Sequence, residues 1–334
     1  MSVATISEYS AAINTPQMIK AEILKGGSPV LKNGRQIKYS GGFCVVFPFE
    51  TQTKKYAVRC WHINLEDIRE RIRVISEAIQ CCNLPYFVGF EYIDNGIQTA
   101  HGAQDIVVMD WVDALPLKKY ISVNITNSTK LLDLANQFKK MVGNFHVHHI
   151  AHGDLQHGNI MVKDNGAVVL VDYDSMYVPS LSGYSDDIKG VPGYQHPSRW
   201  KNNVVTEKID YFSEIIIYTS LLTLSKFPYL WAKLNLDNTE TLLFSAEDIS
   251  SKGTSGIFQI LDKDPDLKPL SSKIKHFLHQ DDIDCLEPLE KAIIDPKEEL
   301  IAELAEEWKD NGYSKKVQTL DDYKNTVNEI SKLW

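Results

Sequence analysis

Cysteine is scarce in this chain of 334 residues, and its five cysteines have neither metal-site nor disulfide-framework spacing. Cys81 and Cys82 are adjacent, and the other three lie far apart at positions 44, 60 and 285. No C-x-x-C pair occurs. The pattern predicts scattered free thiols in a reducing compartment, and it argues against a zinc-stapled or disulfide-stapled fold.

Basic charge and long apolar runs are also lacking. The formal net charge is −9, so the chain has no general excess of the lysine and arginine that nucleic-acid binders need. The most apolar stretch, residues 211–224, contains Glu214 and is too short to span a bilayer. Residues 1–24 do not show the basic-then-apolar layout of a signal peptide. We therefore expect a cytoplasmic protein without a nucleic-acid or membrane partner.

The sequence contains two regions with different residue patterns. The first third has short β-rich runs separated by turns, among them the Asn33–Gly34 step that favours a tight hairpin. One helix is predicted over residues 65–81, where isoleucines recur at helical spacing: Ile68, Ile72, Ile75 and Ile79. From Ser128 onward, helical spacing dominates. The pattern predicts an α+β fold of two lobes, a small antiparallel β-rich N-lobe and a mainly helical C-lobe.

Four segments follow from these patterns. They are an N-terminal extension at residues 1–24, the N-lobe at 25–112, the C-lobe at 113–294 and a charged helical extension at 295–334. The last segment carries two apolar stripes at helical spacing. We predict two helices there that pack on the C-lobe, and docking of a partner protein on them is the alternative.

The most informative stretch runs from His152 to Asn159 and is followed by Asp172 after a short apolar run. It contains Asp154, an asparagine five residues later and a second aspartate thirteen residues beyond that. In phosphoryl transfer from a magnesium nucleotide, one carboxylate orients the acceptor hydroxyl or takes its proton. An amide and a second carboxylate hold the metal that neutralises the phosphate charge. The spacing therefore predicts a kinase-like phosphotransferase.

These features together resemble the protein-kinase-like superfamily, in particular a bacterial group related to eukaryotic-type serine/threonine kinases, over roughly residues 25–294. His152, Asp154 and Asn159 match the family's H-R-D-L-x-x-x-N catalytic loop. The resemblance implies Asp154 as catalytic base, Asn159 and Asp172 as magnesium ligands, and His152 as a structural residue. It also implies ATP and Mg²⁺ as cofactors and a protein substrate as the partner.

The resemblance also assigns nucleotide-binding residues to the N-lobe. A shortened glycine-rich loop follows the first strands, where glycine lets the backbone approach phosphates closely. Met109 stands at the gatekeeper position, and the next three residues correspond to the hinge that lines the adenine slot. The implied nucleotide contacts are Gly41, Gly42, Phe43, Val46, Ala57, Arg59, Met109, Asp110 and Val112.

Two residues depart from the family pattern at the expected nucleotide-binding site. Arg59 stands where the family has a lysine that contacts the phosphates and pairs with a helix glutamate, and a planar, forked arginine is not a simple replacement. Glu77 is the expected partner by sequence separation, Glu70 is the alternative, and Lys38 is a candidate substitute cation. Asp174 replaces the glycine of the family's D-F-G motif.

Further residues bear on regulation and on the acceptor. Gly153 replaces the arginine that receives an activation-segment phosphate in many regulated kinases. Pro197 closes this segment, and because no acidic residue follows it, the usual carboxylate anchor is absent or rebuilt. Asp210 matches the buried aspartate that opens a long helix and ties down the catalytic loop.

The sequence leaves three functions open. The first is an ATP-dependent serine/threonine protein kinase, which Asp210 and the segment ending at Pro197 favour. The second is a small-molecule kinase of the aminoglycoside or choline type, because those enzymes share the H-G-D-x-x-x-x-N pattern. The third is a nucleotide-binding pseudokinase that acts as a scaffold, and Arg59 and Asp174 motivate it.

Overall fold

A six-stranded antiparallel sheet forms the first lobe. The computed structural model describes residues 3–41, 43–63 and 66–293, without the side chains of residues 66–68. The chain divides into two compact units, Met1–Ala292 and Ile293–Trp334. The helices expected at 295–334 lie outside the described residues.

The strands of the first lobe are short at the start and longer towards the hinge. They are β1 (Ser28–Pro29), β2 (Leu31–Lys32), β3 (Arg35–Gln36), β4 (Tyr39–Ser40), β5 (Cys44–Glu50), β6 (Lys55–Trp61), β7 (Phe90–Thr99) and β8 (Gly102–Asp110). The six-stranded sheet has the order β1-β5-β6-β8-β7, with β4 paired to β5. The Asn33–Gly34 turn joins β2 to β3 with φ values of 53° and 74°, as a tight hairpin requires. Helix α2 (Glu66–Cys82) lies between β6 and β7, as the isoleucine spacing predicted.

The two faces of this sheet have different partners. On one face, alternate residues such as Phe47, Phe49 and Val58 form a core with the segment before the sheet, which includes helix α1 (Ile6–Ile13). Thr5 and Glu8 form a capping box that begins α1. The residues that alternate with them along β5 and β6 face the other side, towards the second lobe. The N-terminal segment is therefore part of the first lobe.

Helices dominate the second lobe. They are α3 (Leu117–Asn124), α4 (Ser128–Val147), α5 (Tyr211–Lys226), α6 (Tyr229–Lys233), α7 (Ala246–Ser250), α8 (Gly256–Asp262), α9 (Lys268–Leu278) and α10 (Leu289–Ala292). Helix α5 is buried on nearly all sides, which explains its almost continuous apolar sequence. No helix in the described part of the chain is long and apolar enough to cross a membrane. The expected bilobal α+β fold is confirmed.

A small three-stranded sheet carries the segment that contains the predicted site. Its strands are β9 (Leu115–Pro116), β10 (Ile160–Val162) and β11 (Val168–Leu170), in the order β11-β10-β9. Because β10 and β11 are antiparallel, the residue before β10 and the residue after β11 meet: Val171 N–H donates to the carbonyl of Asn159 at 3.0 Å. This hairpin therefore brings the catalytic loop and Asp172 to one place.

Candidate active site

The catalytic loop is tied to the start of α5 by one buried carboxylate. Asp210 precedes α5 and accepts the backbone N–H groups of His152 and Gly153, the latter at 3.0 Å. Burial raises the pKa of Asp210 to about 6, and the nearby His152 opposes that shift. Asp210 therefore holds the loop backbone through two N–H groups, which is the contact that the family resemblance implied for it.

His152 joins the loop to the strand that leads to Asp172. Its Nε2–H donates to the carbonyl of Val171 at 3.0 Å, and its Nδ1 accepts the N–H of Asp154 at 3.3 Å. The side chain is fully buried. Both ring nitrogens are thus used to shape the loop, in keeping with a structural role for this histidine.

Asp154 and Asn159 contact each other directly. The Asn159 Nδ2 group donates to the Asp154 backbone carbonyl at 2.9 Å and to its Oδ2 atom at 2.8 Å. Because the amide nitrogen faces Asp154, the amide oxygen of Asn159 is directed elsewhere. The pair therefore places one carboxylate and one amide oxygen at the open end of the β10–β11 hairpin, opposite its turn, which we call the mouth of the hairpin.

Asp172 follows β11 with a left-handed backbone, φ 65°, and more than half of its side chain is exposed. The next residue, Tyr173, is fully buried, and its hydroxyl donates to the carbonyl of Leu170 at 2.6 Å. Its ring packs edge-on against Phe90, with the ring centroids 5.0 Å apart. The anchored tyrosine holds the strained turn that points Asp172 outward.

The two residues that depart from the family pattern are in contact. Arg59 on β6 and Asp174 form a bidentate ion pair in which Nη1 lies 2.6 Å from Oδ1 and Nη2 bonds Oδ2. Arg59 Nη1 is also 3.4 Å from Asp172, and its Nε donates to the Cys44 sulfur at 3.1 Å. Burial raises the pKa of the Asp174 carboxyl, and the Arg59 guanidinium opposes that shift.

The partners expected for Arg59 lie elsewhere. Glu77 is exposed on α2, and the alternative, Glu70, is 3.8 Å from Arg73. Lys38, the candidate substitute cation, donates to Ser10 at 3.2 Å. Among the described residues, the carboxylates paired with Arg59 are therefore those of Asp172 and Asp174. Sequence separation misplaced this partner because a contact across the lobes leaves no periodic signal.

The predicted nucleotide contacts of the sheet share one face. Val46 is paired in register with Arg59, and Ala57 with the buried Met109. Side chains at these positions point to the same side of the sheet, since strand residues alternate. Val46 and Ala57 are half-buried there, as expected for residues that line a cleft.

The loop and the hinge lie at two ends of this face. Gly41 N–H donates to the Cys44 carbonyl at 2.9 Å in the turn between β4 and β5, where Phe43 is exposed. Gly42 lies outside the described residues. At the hinge, Asp110 forms a 2.6 Å ion pair with Lys54, so its side chain is directed to the turn before β6, and Val112 is half-buried.

A divalent metal fits the oxygen donors of the site. Magnesium favours one or two carboxylates together with other oxygen ligands and substrate phosphates. Asp172 supplies an exposed carboxylate, and Asn159 supplies an amide oxygen directed away from Asp154. Among the described residues, no group of three or more His, Cys, Asp or Glu side chains could hold a metal by itself, so the ion would also need oxygen ligands from the nucleotide phosphates.

A family model described as protein kinase domain matches residues 40–281, which is more than half of the chain. The chain belongs to the protein kinase domain family. It is similar to the non-functional pseudokinase ZED1 of Arabidopsis thaliana, with 26% identity over 203 residues, 55% of this chain and 56% of that protein. It is also similar to the probable serine/threonine-protein kinase PknB of Lactococcus lactis, with 26% identity over 124 residues, 36% of this chain and 20% of that protein. The aligned parts thus span about half of the plant relative and a fifth of the bacterial one.

The activation segment of this kinase domain is anchored by a buried arginine. Arg199 is fully buried and makes a bidentate pair with Asp186, with Nε and Nη2 each 2.9 Å from an oxygen. Its Nη1 donates to the carbonyl of Gly153 at 2.5 Å and to Gln195 Oε1 at 2.6 Å. The segment is thus joined to the catalytic loop by Arg199, and no acidic residue directly follows Pro197.

Arg71 connects helix α2 to the same segment. It is buried, and it donates to the backbone carbonyls of Ser185 at 2.9 Å and Met176 at 3.0 Å. Sequence reasoning missed Arg71 as well as Arg199 and Asp186. The one available signal was Arg199 itself, which follows Pro197 by two residues in place of the missing carboxylate.

Proposed function

We propose that this chain transfers the γ-phosphoryl group of magnesium ATP to a serine or threonine hydroxyl of a protein. The observation that carries the proposal is the shared location of Asp154, Asn159 and Asp172 at the mouth of the β10–β11 hairpin. The first two are in direct contact at 2.8 Å, and backbone bonds to Asp210 hold the loop. Phosphoryl transfer depends mainly on such positioning and on charge stabilisation.

In the proposed reaction, Asp154 accepts the proton of the acceptor hydroxyl. The hydroxyl oxygen forms a bond to the γ-phosphorus, the bond from that phosphorus to the bridging oxygen breaks, and ADP leaves. Asn159 holds one carboxylate oxygen of Asp154 and so restricts its rotation. Asp210 and His152 keep the loop backbone in place during the transfer.

Asp172 and Asn159 would hold the metal that accompanies the nucleotide. A bound magnesium ion neutralises the charge on the phosphate oxygens as the transfer proceeds. Asp172 is suited to this role because its side chain is exposed and its only ionic partner among the described residues is Arg59, at 3.4 Å.

Arg59 would face the phosphates with its charge already paired. Its guanidinium lies between Asp174 and Asp172 on the cleft face of the sheet. An arginine has five N–H donors, and the contacts to Asp174, Asp172 and Cys44 use four of them. The remaining donor is on Nη2, so the group can still contact a phosphate oxygen.

A protein acceptor is favoured over a small molecule by the activation segment. Arg199, Asp186 and Arg71 hold the backbone of this segment beside the catalytic loop, where it offers a platform for an extended peptide. The match of a protein kinase domain model over residues 40–281 supports the same choice. Phosphorylation of an aminoglycoside or of choline in preference to protein would overturn it.

Radioactive ATP tests the proposed activity. Purified chain is incubated with γ-labelled ATP, magnesium and a generic protein substrate, and incorporation into that substrate and into the chain is counted. We expect Asp154→Ala to lower the rate by about 10²–10⁴-fold, the usual contribution of a positioned acid or base. The matched control is Asp164→Ala, an exposed aspartate of the β10–β11 turn that should leave the rate unchanged. Full incorporation by Asp154→Ala would remove the assigned base.

A nucleotide-binding scaffold without turnover is the second candidate. The buried Arg59–Asp174 pair favours it, because Asp174 neutralises the cation expected to grip phosphate. The relative named as a non-functional pseudokinase is compatible with it. ATP would then raise the melting temperature by binding linkage while no phosphate is transferred. Measured incorporation above that of Asp154→Ala would exclude this candidate.

A further inference from the structure

Gln195 is a buried amide in the activation segment, and the orientation of its side chain is decided by its neighbour. It is 2% exposed, and its Oε1 atom accepts from Arg199 Nη1 at 2.6 Å. An arginine has no acceptor atom, so the amide oxygen must face it. The Nε2 group of Gln195 therefore points to the opposite side.

On that side lies the catalytic carboxylate. A Cβ atom added at Gly190 would lie 3.0 Å from Gln195 Nε2 and closer still to Asp154 Oδ1, so a single point beside Gly190 lies close to both atoms. Within the described part of the chain, both atoms are buried without a hydrogen-bond partner. One is a donor and the other an acceptor.

Leaving both atoms unpaired would cost free energy twice, since each buried polar group loses its hydration. Neither atom is exposed to bulk solvent, so surface water does not supply the missing bonds. Both atoms lie within 3.0 Å of the same point beside Gly190, so rotations of the two side chains can bring the donor to the acceptor. A hydrogen bond between these two atoms would thus satisfy both, and no third group is needed.

We propose that Gln195 is a positioning residue for Asp154, with its Nε2–H group donating to Asp154 Oδ1. Asn159 already donates to Oδ2 at 2.8 Å, so both carboxylate oxygens are then held and the group cannot rotate. The contact extends a chain of bonds from Asp186 through Arg199 to Gln195. The order of the activation segment is thereby transmitted to the catalytic base. What this base does rests on the proposed function.

Two substitutions separate the donor from the rest of the side chain. Gln195→Glu keeps an oxygen for Arg199 and replaces the donor, whereas Gln195→Leu removes both. We expect either variant to lower kcat about ten- to a hundredfold, because a small misplacement of a catalytic group has effects of that size. KM for ATP should stay unchanged, since the nucleotide contacts are not touched. Gln137→Leu on the exposed side of α4 is the matched control. A wild-type kcat in Gln195→Glu would overturn the proposal.

A second measurement does not depend on turnover. The side-chain amide protons of Gln195, assigned by their loss in Gln195→Leu, are observed by ¹H–¹⁵N NMR in the full chain. In Asp154→Ala we expect these protons to shift upfield and to exchange faster, because their acceptor is gone. Unmoved resonances would show that Gln195 serves Arg199 alone and would overturn the proposal. If the wild-type chain transfers no phosphate, the proposed function fails, and this measurement by itself decides whether Gln195 holds Asp154.

Discussion

At the scale of single residues, the two departures from the family pattern, Arg59 and Asp174, form one structural unit. Each departs from the family pattern in a way that suggests a weakened site, yet together they form a buried bidentate pair. A glycine at position 174 would leave the Arg59 charge without its main partner, and a lysine at position 59 could not make the same forked contact. The pair therefore stands where the family resemblance implied a contact with α2.

This pairing predicts a sharp cost when one partner is removed. Asp174→Ala should lower the free energy of unfolding by about 3–5 kcal/mol, because it leaves the buried Arg59 with only the longer contact to the exposed Asp172. The double change Arg59→Met with Asp174→Ala should recover much of that loss. The measurement is urea unfolding of each variant. Asp94→Ala breaks an exposed pair with Arg73 and serves as the control with little expected change. Equal effects of Asp94→Ala and Asp174→Ala would contradict a structural role for the buried pair.

Gly190 offers a second test at this scale. Its φ is 72°, and a methyl group there would collide with Asp154 and Gln195. Gly190→Ala should therefore lower phosphoryl transfer more than tenfold by displacing the carboxylate. Gly183→Ala is the matched control, because φ is 88° and the space around Gly183 is open. Both variants carry the backbone strain of a left-handed alanine, about 1–2 kcal/mol. If the two lose activity equally, backbone strain and not the collision is responsible.

At the scale of elements, helix α1 changes the character of the first lobe. Tyr9, Ala12 and Ile13 are buried in the same core as Phe47 and Phe49 of β5, so one face of the sheet is covered by the chain's own N-terminal segment. The expectation of an extension at residues 1–24 assigned no packing role to it. The apolar residues of α1 are too few for its helical spacing to reveal which surface it covers.

The packing of α1 predicts a stability loss that depends on the face of the helix. Ile13→Ala should lower the free energy of unfolding by about 2–5 kcal/mol, the usual cost of a large-to-small change in a core. Ser7→Ala on the exposed side should change it by less than about 0.5 kcal/mol. Urea unfolding followed by circular dichroism compares the two. A mild Ile13→Ala would mean that α1 contributes little to the lobe.

At the scale of the whole molecule, one histidine joins three helices of the second lobe. His146 of α4 lies 2.9 Å from Glu214 of α5 and 2.8 Å from Glu290 of α10. Burial alone lowers the pKa of His146, but the two carboxylates outweigh burial and raise it to about 9. The histidine is therefore charged at neutral pH and holds α10, the last described helix, against the lobe.

Linkage fixes the sign of the resulting pH dependence. The folded-state pKa of His146 lies above the ordinary value of 6.5, so its contribution is complete below pH 6.5 and is lost as the pH rises through 9. The loss should be on the order of 3 kcal/mol between these limits. Urea unfolding of wild type and His146→Gln from pH 6 to 10 measures it. The variant should lack this decline, while His149→Gln, at an exposed histidine, should keep it. Parallel curves for wild type and His146→Gln would contradict the assignment.

The sequence alone determined what is local along the chain. The family and the two lobes were predicted from features that residues close together in sequence define. These are the spacing of His152, Asp154 and Asn159 within one loop, the Asn33–Gly34 turn and the periodicity of α2. The tertiary structure alone decided which distant groups meet. Arg59 and Asp174 are 115 residues apart, and Arg199 is 46 residues from Gly153. Such contacts depend on which charged side chains are buried together when the chain folds. A single charged residue belongs to no periodic pattern, so its distant partner cannot be read from one sequence.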